Sequence, residues 1–556
     1  MAQPDGKCHS LLELIPVDQL SEEQKAFRPS NETRMPLYRM RRDPTFWGEI
    51  FHDGAFFDHD LAIWRENRTL LCIVNHDCWR PSGFREQNIS FTLYKDYEAG
   101  RYDGVDLEIY GKTDATIVET ATFFWSLKQG ECEEGRLRMP SLPTIQPEQL
   151  ARIFDANPDM HFEFEEGTWS AEQSVILATR SFPLNVKLVW VSFEDNGTAF
   201  VNALETRQQY SFGMFSMTFC DAEHVPLSRE NVQRFLKLNL AFEKLEIGML
   251  ESECAFLPFS VKSNALVYEI ELTSLEASDF ESLDIIAEDL FLKFNLGMTF
   301  EWDEHLVCFF HRLAELGHFE RLRISVNEGY LGCIIHDDTS HVAEALITAI
   351  TANHKLKCLD LSDSYRCLEW FAHFQGIFKA MEDHKGLREF HLKKLVPQIY
   401  NDDIDCDESD GSESEPAAYE WLRQLLSRNR KIVVYNSSGK RCSNGEAIDT
   451  IYLLNDILNG STDLVKESTS LRPLLVATAL VESTSRKFLH SALLMSNHAD
   501  MLCELMQVVN IEEVTVVPEE AIEPEQTSIT PVESEDSKRR RSGSPPPPAT
   551  KKAART

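Results

Sequence analysis

A unit made of a helix, a turn and a short strand recurs along the middle of the chain, and this repetition limits the fold more than any other feature. From about residue 147 each unit ends in a strand that reads apolar-x-apolar. A single unit cannot bury its strand face and its helix face alone, so neighbouring units must stack and share one core. The predicted strands are Phe162-x-Phe164, Leu188-x-Trp190, Phe215-x-Met217, Leu245-x-Ile247, Ile270-x-Leu272, Phe294-x-Leu296, Leu322-x-Ile324, Leu359-x-Leu361, Phe390-x-Leu392 and Val433-x-Tyr435.

The segments between these strands place apolar residues three and four positions apart, which predicts amphipathic helices. Several begin at a residue type that caps helices, such as Ser170, Ser228 and Ser340. Alternating strands and helices indicate the α/β class. The predicted helices are Pro147–Asn157, Ala171–Phe182, Ser228–Asn239, His305–Leu316, His341–Asn353, Leu368–Glu382 and Ala417–Arg428.

Three of the strands extend to the fuller form apolar-x-x-apolar-x-apolar. They are Phe319-x-x-Leu322-x-Ile324, Leu356-x-x-Leu359-x-Leu361 and Leu387-x-x-Phe390-x-Leu392. Here the chain resembles the ribonuclease-inhibitor-like class of leucine-rich repeats. The resemblance covers about residues 147–436, with an acidic insertion at 401–415, and it implies a horseshoe-shaped solenoid with helices on its convex side. An unrelated α/β domain of alternating strands and helices is the alternative.

The flanking segments differ from the repeats in pattern. Residues 1–40 are polar and predicted to be flexible, and residues 41–146 form a β-rich cap or small domain with strands at Leu70–Val74 and Asn88–Tyr94. Residues 437–509 are predicted to form a helical C-terminal cap. Its segments SLRPLLVATALVES and LLMSNHADMLCELM resemble the C-terminal region of a large family of leucine-rich-repeat proteins of diatoms, which implies no particular activity.

Overall charge restricts the partners. The formal net charge is −35, which disfavours nucleic acid and anionic membrane surfaces as ligands because both are negative. Thirteen cysteines without regular spacing predict the reduced thiols of an intracellular protein. Neither a signal peptide nor an apolar stretch long enough to span a membrane is recognised. A protein is therefore the expected partner.

Residues 510–556 have the composition of a disordered tail, acidic at first and basic at its end. The basic part resembles a bipartite nuclear-import signal, which predicts an import receptor as a second partner and a nuclear location, shared or not with the cytoplasm. A solvated charge run, or a contact with the acidic surface of the same chain, is the alternative. The residues of this signal are Lys538, Arg539, Arg540, Arg541, Lys551 and Lys552.

Two segments carry side chains that bind metals in other proteins. The acidic insertion is close to a calcium loop between Asp405 and Gly411, but its glycine falls one position late and no glutamate stands at the twelfth position. Cys72-x3-His76-x-Cys78 matches no common zinc spacing. Both are interpreted as structural, and the sequence predicts neither a metal site nor a cofactor.

In a stack of this kind, alternate strand residues line the face away from the helices. Early strands would present Glu163, Glu165, Glu246, Glu269 and Glu271 there. A local basic stripe on so acidic a chain is the better candidate for binding, since complementary charge steers encounter; ordinary solvated strand faces are the alternative. The predicted partner-binding residues are Lys293, Arg321, Arg323, His391 and Lys393.

The sequence holds no phosphate-cradling glycine loop, nucleophile elbow or His-Glu-x-x-His pattern, so no catalytic residue is predicted. The favoured function is a non-catalytic scaffold or adaptor. One alternative is a regulatory activator of a GTPase that uses an exposed arginine such as Arg366. Another is an enzyme activity within the N-terminal segment 41–140.

Overall fold

The fold is seen in a computed structural model, which describes residues 11–27, 36–51, 61–75, 88–94, 104–128, 136–139, 145–207, 211–219, 221–297, 302–327, 339–363, 370–395 and 414–464. Within these ranges the chain is mixed α/β, and seventeen strands belong to one sheet. None of the described helices has both the length and the apolar character needed to cross a membrane.

Seven N-terminal strands form the mixed part of the sheet. They are β1 (Leu12–Leu14), β2 (Leu37–Met40), β3 (Leu61–Trp64), β4 (Leu70–Asn75), β5 (Asn88–Tyr94), β6 (Gly104–Tyr110) and β7 (Arg136–Met139). Strands β3, β4, β6, β5 and β7 pair antiparallel in that order, whereas β2 and β3 are parallel. The two strands predicted here are present as β4 and β5. The described part of segment 1–40 holds β1 and β2, so it belongs to the sheet and the expectation of a flexible segment is wrong there.

The sheet continues with ten parallel strands, which we call the parallel array. They are β8 (His161–Glu165), β10 (Leu184–Val189), β12 (Gly213–Thr218), β13 (Phe242–Ile247), β14 (Ser263–Glu271), β15 (Asp289–Asn295), β16 (Arg321–Asn327), β17 (Cys358–Leu361), β18 (Glu389–Leu392) and β19 (Val433–Tyr435). Each pairs with the next in chain order, and β7 joins β8 in parallel. A separate pair is formed by β9 (Thr168–Trp169) and β11 (Ser192–Phe193).

Helices connect most of these strands. They are α1 (Glu22–Phe27), α2 (Gly48–Phe51), α3 (Asp114–Trp125), α4 (Pro147–Ala156), α5 (Ala171–Ala178), α6 (Thr198–Glu205), α7 (Arg229–Leu236), α8 (Trp302–Leu316), α9 (Ser340–Ala352), α10 (Phe374–Glu382), α11 (Ser414–Arg428) and α12 (Glu446–Leu464). Short 3-10 turns replace a full helix between β13 and β14 and between β14 and β15. Helices α1, α2, α3 and α6 were not predicted from the sequence.

Two of the three predicted helix caps are confirmed. The Ser170 hydroxyl accepts a hydrogen bond from the Gln173 backbone at 3.2 Å, and Ser228 does the same for Asn231 at 3.3 Å. These bonds satisfy backbone N–H groups that have no partner within the helix. The third prediction is wrong, because Ser340 is itself the first residue of α9.

The strand register differs from the predicted one at several units. Leu322 pairs with Leu290 rather than Phe294, and Leu245 pairs with Leu266 rather than Ile270. In β19 the buried residue is Val434, so Val433 and Tyr435 point to the partly exposed side. Trp190 follows β10 and is 57% exposed, although it was predicted to lie in the core.

Aromatic rings fill the core of the early units. A continuous series of ring contacts, with centroids 5.0 to 6.5 Å apart, begins on α4 and ends on β13. Large rings bury much apolar area per residue, and their edge-to-face contacts add to that stabilisation. The rings in this series belong to Phe154, Phe162, Phe164, Trp169, Phe193, Phe200, Phe215, Phe235 and Phe242.

Four buried polar residues just after helix ends tie their elements to the preceding ones. We call Asn157, Asn353, His384 and Asn429 the helix-end ladder. The Asn353 amide donates to Leu313 O at 3.1 Å, and the other members donate to carbonyls 30 to 48 residues earlier in the chain. Each bond satisfies a carbonyl at or near a helix end, where intrahelical partners are lacking.

Candidate protein-binding face

The strands of the parallel array bury alternate side chains, and the intervening ones remain partly exposed. We call the side of the sheet that carries these intervening residues the open face. Because the strands are parallel and paired in register, these side chains form rows that run across the strands. One of these rows, which we call the middle row, consists of Phe291, Arg323, Asp360, His391 and Tyr435 on β15 to β19.

Arg323 is the second residue of the middle row, between Phe291 and Asp360. Its guanidinium lies 4.2 Å from the ring centroid of Phe291, and the Lys293 ammonium lies 5.2 Å from the same ring. On its other side Arg323 meets the carboxylates of Asp360 at 3.3 Å and Asp363 at 3.5 Å. These contacts orient the guanidinium on a rigid strand while leaving the side chain 43% exposed.

Arg321 lies in the neighbouring row, between Asp289 and Cys358. Its guanidinium reaches across to the Glu389 carboxylate at 3.6 Å. Burial raises the pKa of Asp289, and burial also raises the pKa of the Cys358 thiol to about 12. The thiol is therefore protonated at neutral pH and behaves as a small buried group of the sheet.

His391 and Tyr435 end the middle row as a stacked pair. Their ring centroids are 4.9 Å apart and the planes are inclined by 24°. The His391 Nε2 atom lies 3.7 Å from a Glu389 carboxylate oxygen. Lys393 follows β18 and is exposed beyond the end of the strand.

The predicted basic stripe is thus a region of alternating charge. The open-face positions of β15 to β18 hold three carboxylates and three cations, the carboxylates being Asp289, Asp360 and Glu389 and the cations Lys293, Arg321 and Arg323. The rule of alternation that selected the arginines also selects these carboxylates. Their presence was the signal in the sequence that the stripe is electrically balanced.

The early half of the open face is acidic, as predicted, but part of its charge is paired. The open-face positions of β8 to β14 hold five carboxylates and two lysines. Glu163 is buried, contrary to expectation, and its carboxylate lies 3.8 Å from Lys187. Glu246 lies 3.5 Å from Lys244. Glu269 lies opposite Lys293 in the register of β14 and β15.

Trp190 was missed as a surface residue. It has a positive φ of 53°, which is unusual for a bulky residue, and its backbone N–H donates to Thr218 O at 2.9 Å. That bond fixes the turn after β10 and leaves the indole outside the core. No local sequence signal separates it from the apolar residues that precede it.

Several predicted sites lie outside the described residues. They include the import signal at 538–541 and 551–552, the acidic insertion as far as residue 413, Arg366, and the pair His76 and Cys78. Of the Cys72 motif, only Cys72 itself is described, and it is buried in β4.

No family model matches this chain, and no curated protein matches it either.

Proposed function

We propose that the chain is a non-catalytic scaffold or adaptor, built as a leucine-rich-repeat solenoid of the ribonuclease-inhibitor-like class, that binds a protein partner on its open face. The observation that carries this proposal is the middle row. It places two aromatic rings, an arginine, a histidine and a carboxylate side by side on the rigid strands β15 to β19.

The composition of this row supports binding to a protein. Tyrosine and arginine are enriched among the residues that contribute most to protein–protein affinity, and partly exposed rings give contact area at a small entropic cost. The mixed charges favour a partner segment that is itself mixed, because Arg321 and Arg323 already lie beside carboxylates. A strongly acidic partner is less favoured than the sequence alone indicated.

The test is an affinity pull-down with the full chain, followed by mass spectrometry. Arg323→Ala and Tyr435→Ala are each expected to weaken capture of the bound protein by roughly 30-fold, which corresponds to about 2 kcal/mol for a residue central to an interface. Arg423→Ala is the matched control, because Arg423 is an exposed arginine paired with a carboxylate on helix α11. Thermal melts of all variants should stay close to the wild type, since exposed ion pairs contribute little stability.

Equal recovery of the same proteins by the wild type, Arg323→Ala and Tyr435→Ala would exclude the middle row as the binding surface. Loss of a captured protein in Arg423→Ala would instead place the contact on the helical side.

We also propose that the basic tail directs the chain to the nucleus. The tail combines a cluster of four cations with a second pair ten residues later, as receptor-read import signals do. A fluorescently tagged chain in which residues 538–541 are all alanine is expected to lose its nuclear enrichment. An unchanged distribution between nucleus and cytoplasm would rule the signal out.

A further inference from the structure

Three side chains of different chemistry meet on the open face where β17 and β18 lie side by side. Cys358 and Glu389 occupy paired positions on the two strands, and His391 lies two residues further along β18. One potential ligand atom from each of the three lies within 4.8 Å of the others. The part of the chain that the structure describes contains no second group of three such residues.

The surroundings hold these three groups in place. Cys358 is buried within the sheet, so its position is fixed by the strand ladder on both sides. The His391 ring is stacked on Tyr435, and its Nε2 atom already lies 3.7 Å from the Glu389 carboxylate. Ligands carried by paired strands are more precisely placed than ligands carried by loops.

The donor set has a definite chemical preference. Sulfur, imidazole nitrogen and carboxylate oxygen together suit Zn²⁺ and related divalent transition metals, whereas Mg²⁺ and Ca²⁺ require oxygen ligands. Metal–ligand bonds of about 2.0–2.3 Å place the ligands of a tetrahedral ion roughly 3.5 Å apart. The three ligand atoms therefore need to move by only about an ångström, through side-chain rotation, to surround an ion.

We propose that Cys358, Glu389 and His391 bind one divalent transition-metal ion of the zinc class, with water as the fourth ligand. On binding, the Cys358 thiol releases its proton to solvent and the sulfur takes the ion. The ion displaces the Arg321 guanidinium, which lies 3.6 Å from Glu389 in its absence. Two added positive charges and one lost proton make the open face more positive by one unit. The site shares His391 with the middle row, but metal binding itself requires no protein partner.

The experiment measures zinc retained by the full chain. Purified protein is incubated with zinc sulfate, dialysed, and analysed for metal by mass spectrometry. The wild type is expected to retain about one zinc ion per chain more than Cys358→Ser and His391→Gln. Cys308→Ser is the matched control, because Cys308 is a partly exposed thiol on α8. The comparison between variants removes any background from other thiols of the chain.

Cobalt provides a second readout. With Co²⁺ in place of zinc, a thiolate–cobalt charge-transfer absorption is expected in the wild type and in Cys308→Ser and is expected to disappear in Cys358→Ser. His391→Gln changes a partly exposed residue, so it keeps the test valid if Cys358→Ser fails to fold in a thermal melt. Equal zinc content in the wild type and His391→Gln, or no zinc in the wild type, would overturn the proposal.

Discussion

The early and late units of the parallel array fill the same kind of interior in two ways. Early helices α5, α6 and α7 have eight residues each, and the early strands β8 and β12 bury Phe162, Phe164 and Phe215. Late helices α8, α9 and α11 have thirteen to fifteen residues, and strands β16 and β17 bury leucine, isoleucine and valine.

The difference shows how a repeat can change length without losing its core. A short helix offers few side chains to the sheet, so each must be large, and the aromatic series supplies that volume. A long helix offers more side chains, so the strands beside it can carry smaller ones at native packing density, as β16 and β17 do. The late units then add the helix-end ladder members Asn353, His384 and Asn429, which fix longer connections by hydrogen bonds.

The largest effect is expected from breaking the aromatic series in the early units. Phe215 is fully buried and contacts four other rings, those of Phe200, Phe212, Phe235 and Phe242. Phe215→Ala should lower the free energy of unfolding by about 3–5 kcal/mol, through lost burial and the cavity it leaves. Urea unfolding followed by circular dichroism measures this change. The neighbouring open-face variant Met214→Ala serves as control, and a loss below about 1 kcal/mol in Phe215→Ala would contradict the aromatic account.

A smaller effect is expected from removing one member of the helix-end ladder in the late units. Asn353 is buried, donates to Leu313 O and Ala349 O, and accepts from the Phe319 N–H at 3.4 Å. Asn353→Ala should cost about 2 kcal/mol, because buried backbone groups lose their partners. Unfolding in urea again measures it, and Asn353→Asp should be no better, since it replaces a donor with a buried charge. Stability unchanged in Asn353→Ala would show that the ladder is not needed.

A pH-dependent effect should distinguish His384 from the asparagines of the ladder. Burial lowers the pKa of His384, and its Nδ1 atom accepts from the Leu387 N–H at 3.0 Å, which a second ring proton would prevent. The unfolded state therefore binds the proton more readily. The stabilisation is complete above the ordinary histidine pKa of about 6.5 and is lost as the pH falls below it toward the lower folded value.

The matching variant is His384→Asn, which installs the residue used at Asn353 and Asn429. This variant should keep a hydrogen-bond donor to Asn353 O. It should also lose less stability as the pH falls, by up to about 1.4 kcal/mol per pH unit, which is the limit for a single bound proton. Thermal melts between pH 7.5 and 5 measure the difference from the wild type. If the melting temperatures of the two proteins fell equally as the pH was lowered, His384 would not be the source of the acid sensitivity.

Sequence reasoning succeeded best where leucine marks the repeat. The register of β16, β17 and β18 follows the predicted pairs around Leu322, Leu359 and Phe390. It failed at β14, because Leu266, Tyr268, Ile270 and Leu272 alternate over seven residues and any adjacent pair fits the pattern equally well. Only pairing with β13 and β15 selects one of these choices, and that pairing is not local.

The open face was foreseen in position but not in charge. Arg321 and Arg323 lie on the open face as expected, yet their carboxylate partners stand on strands 37 to 68 residues away in sequence. The Cys358, Glu389 and His391 group escaped the sequence analysis for the same reason. Its members come from two units, and no fixed spacing within one segment relates the cysteine to the histidine.

The paired charges on the open face also bear on how accurately such a chain assembles. Consecutive units resemble each other, so during folding a strand could align with a unit other than its proper neighbour, a common failure of repeat proteins. The cross-strand contacts Arg323–Asp360 and Lys187–Glu163 are each specific to one pair of strands. Skipping a unit would bring Phe291 opposite Asp360, or Glu163 opposite Ser216, and would leave a charge without its counterpart. The differences between units therefore favour pairing of each strand with its correct neighbour over pairing with any other strand.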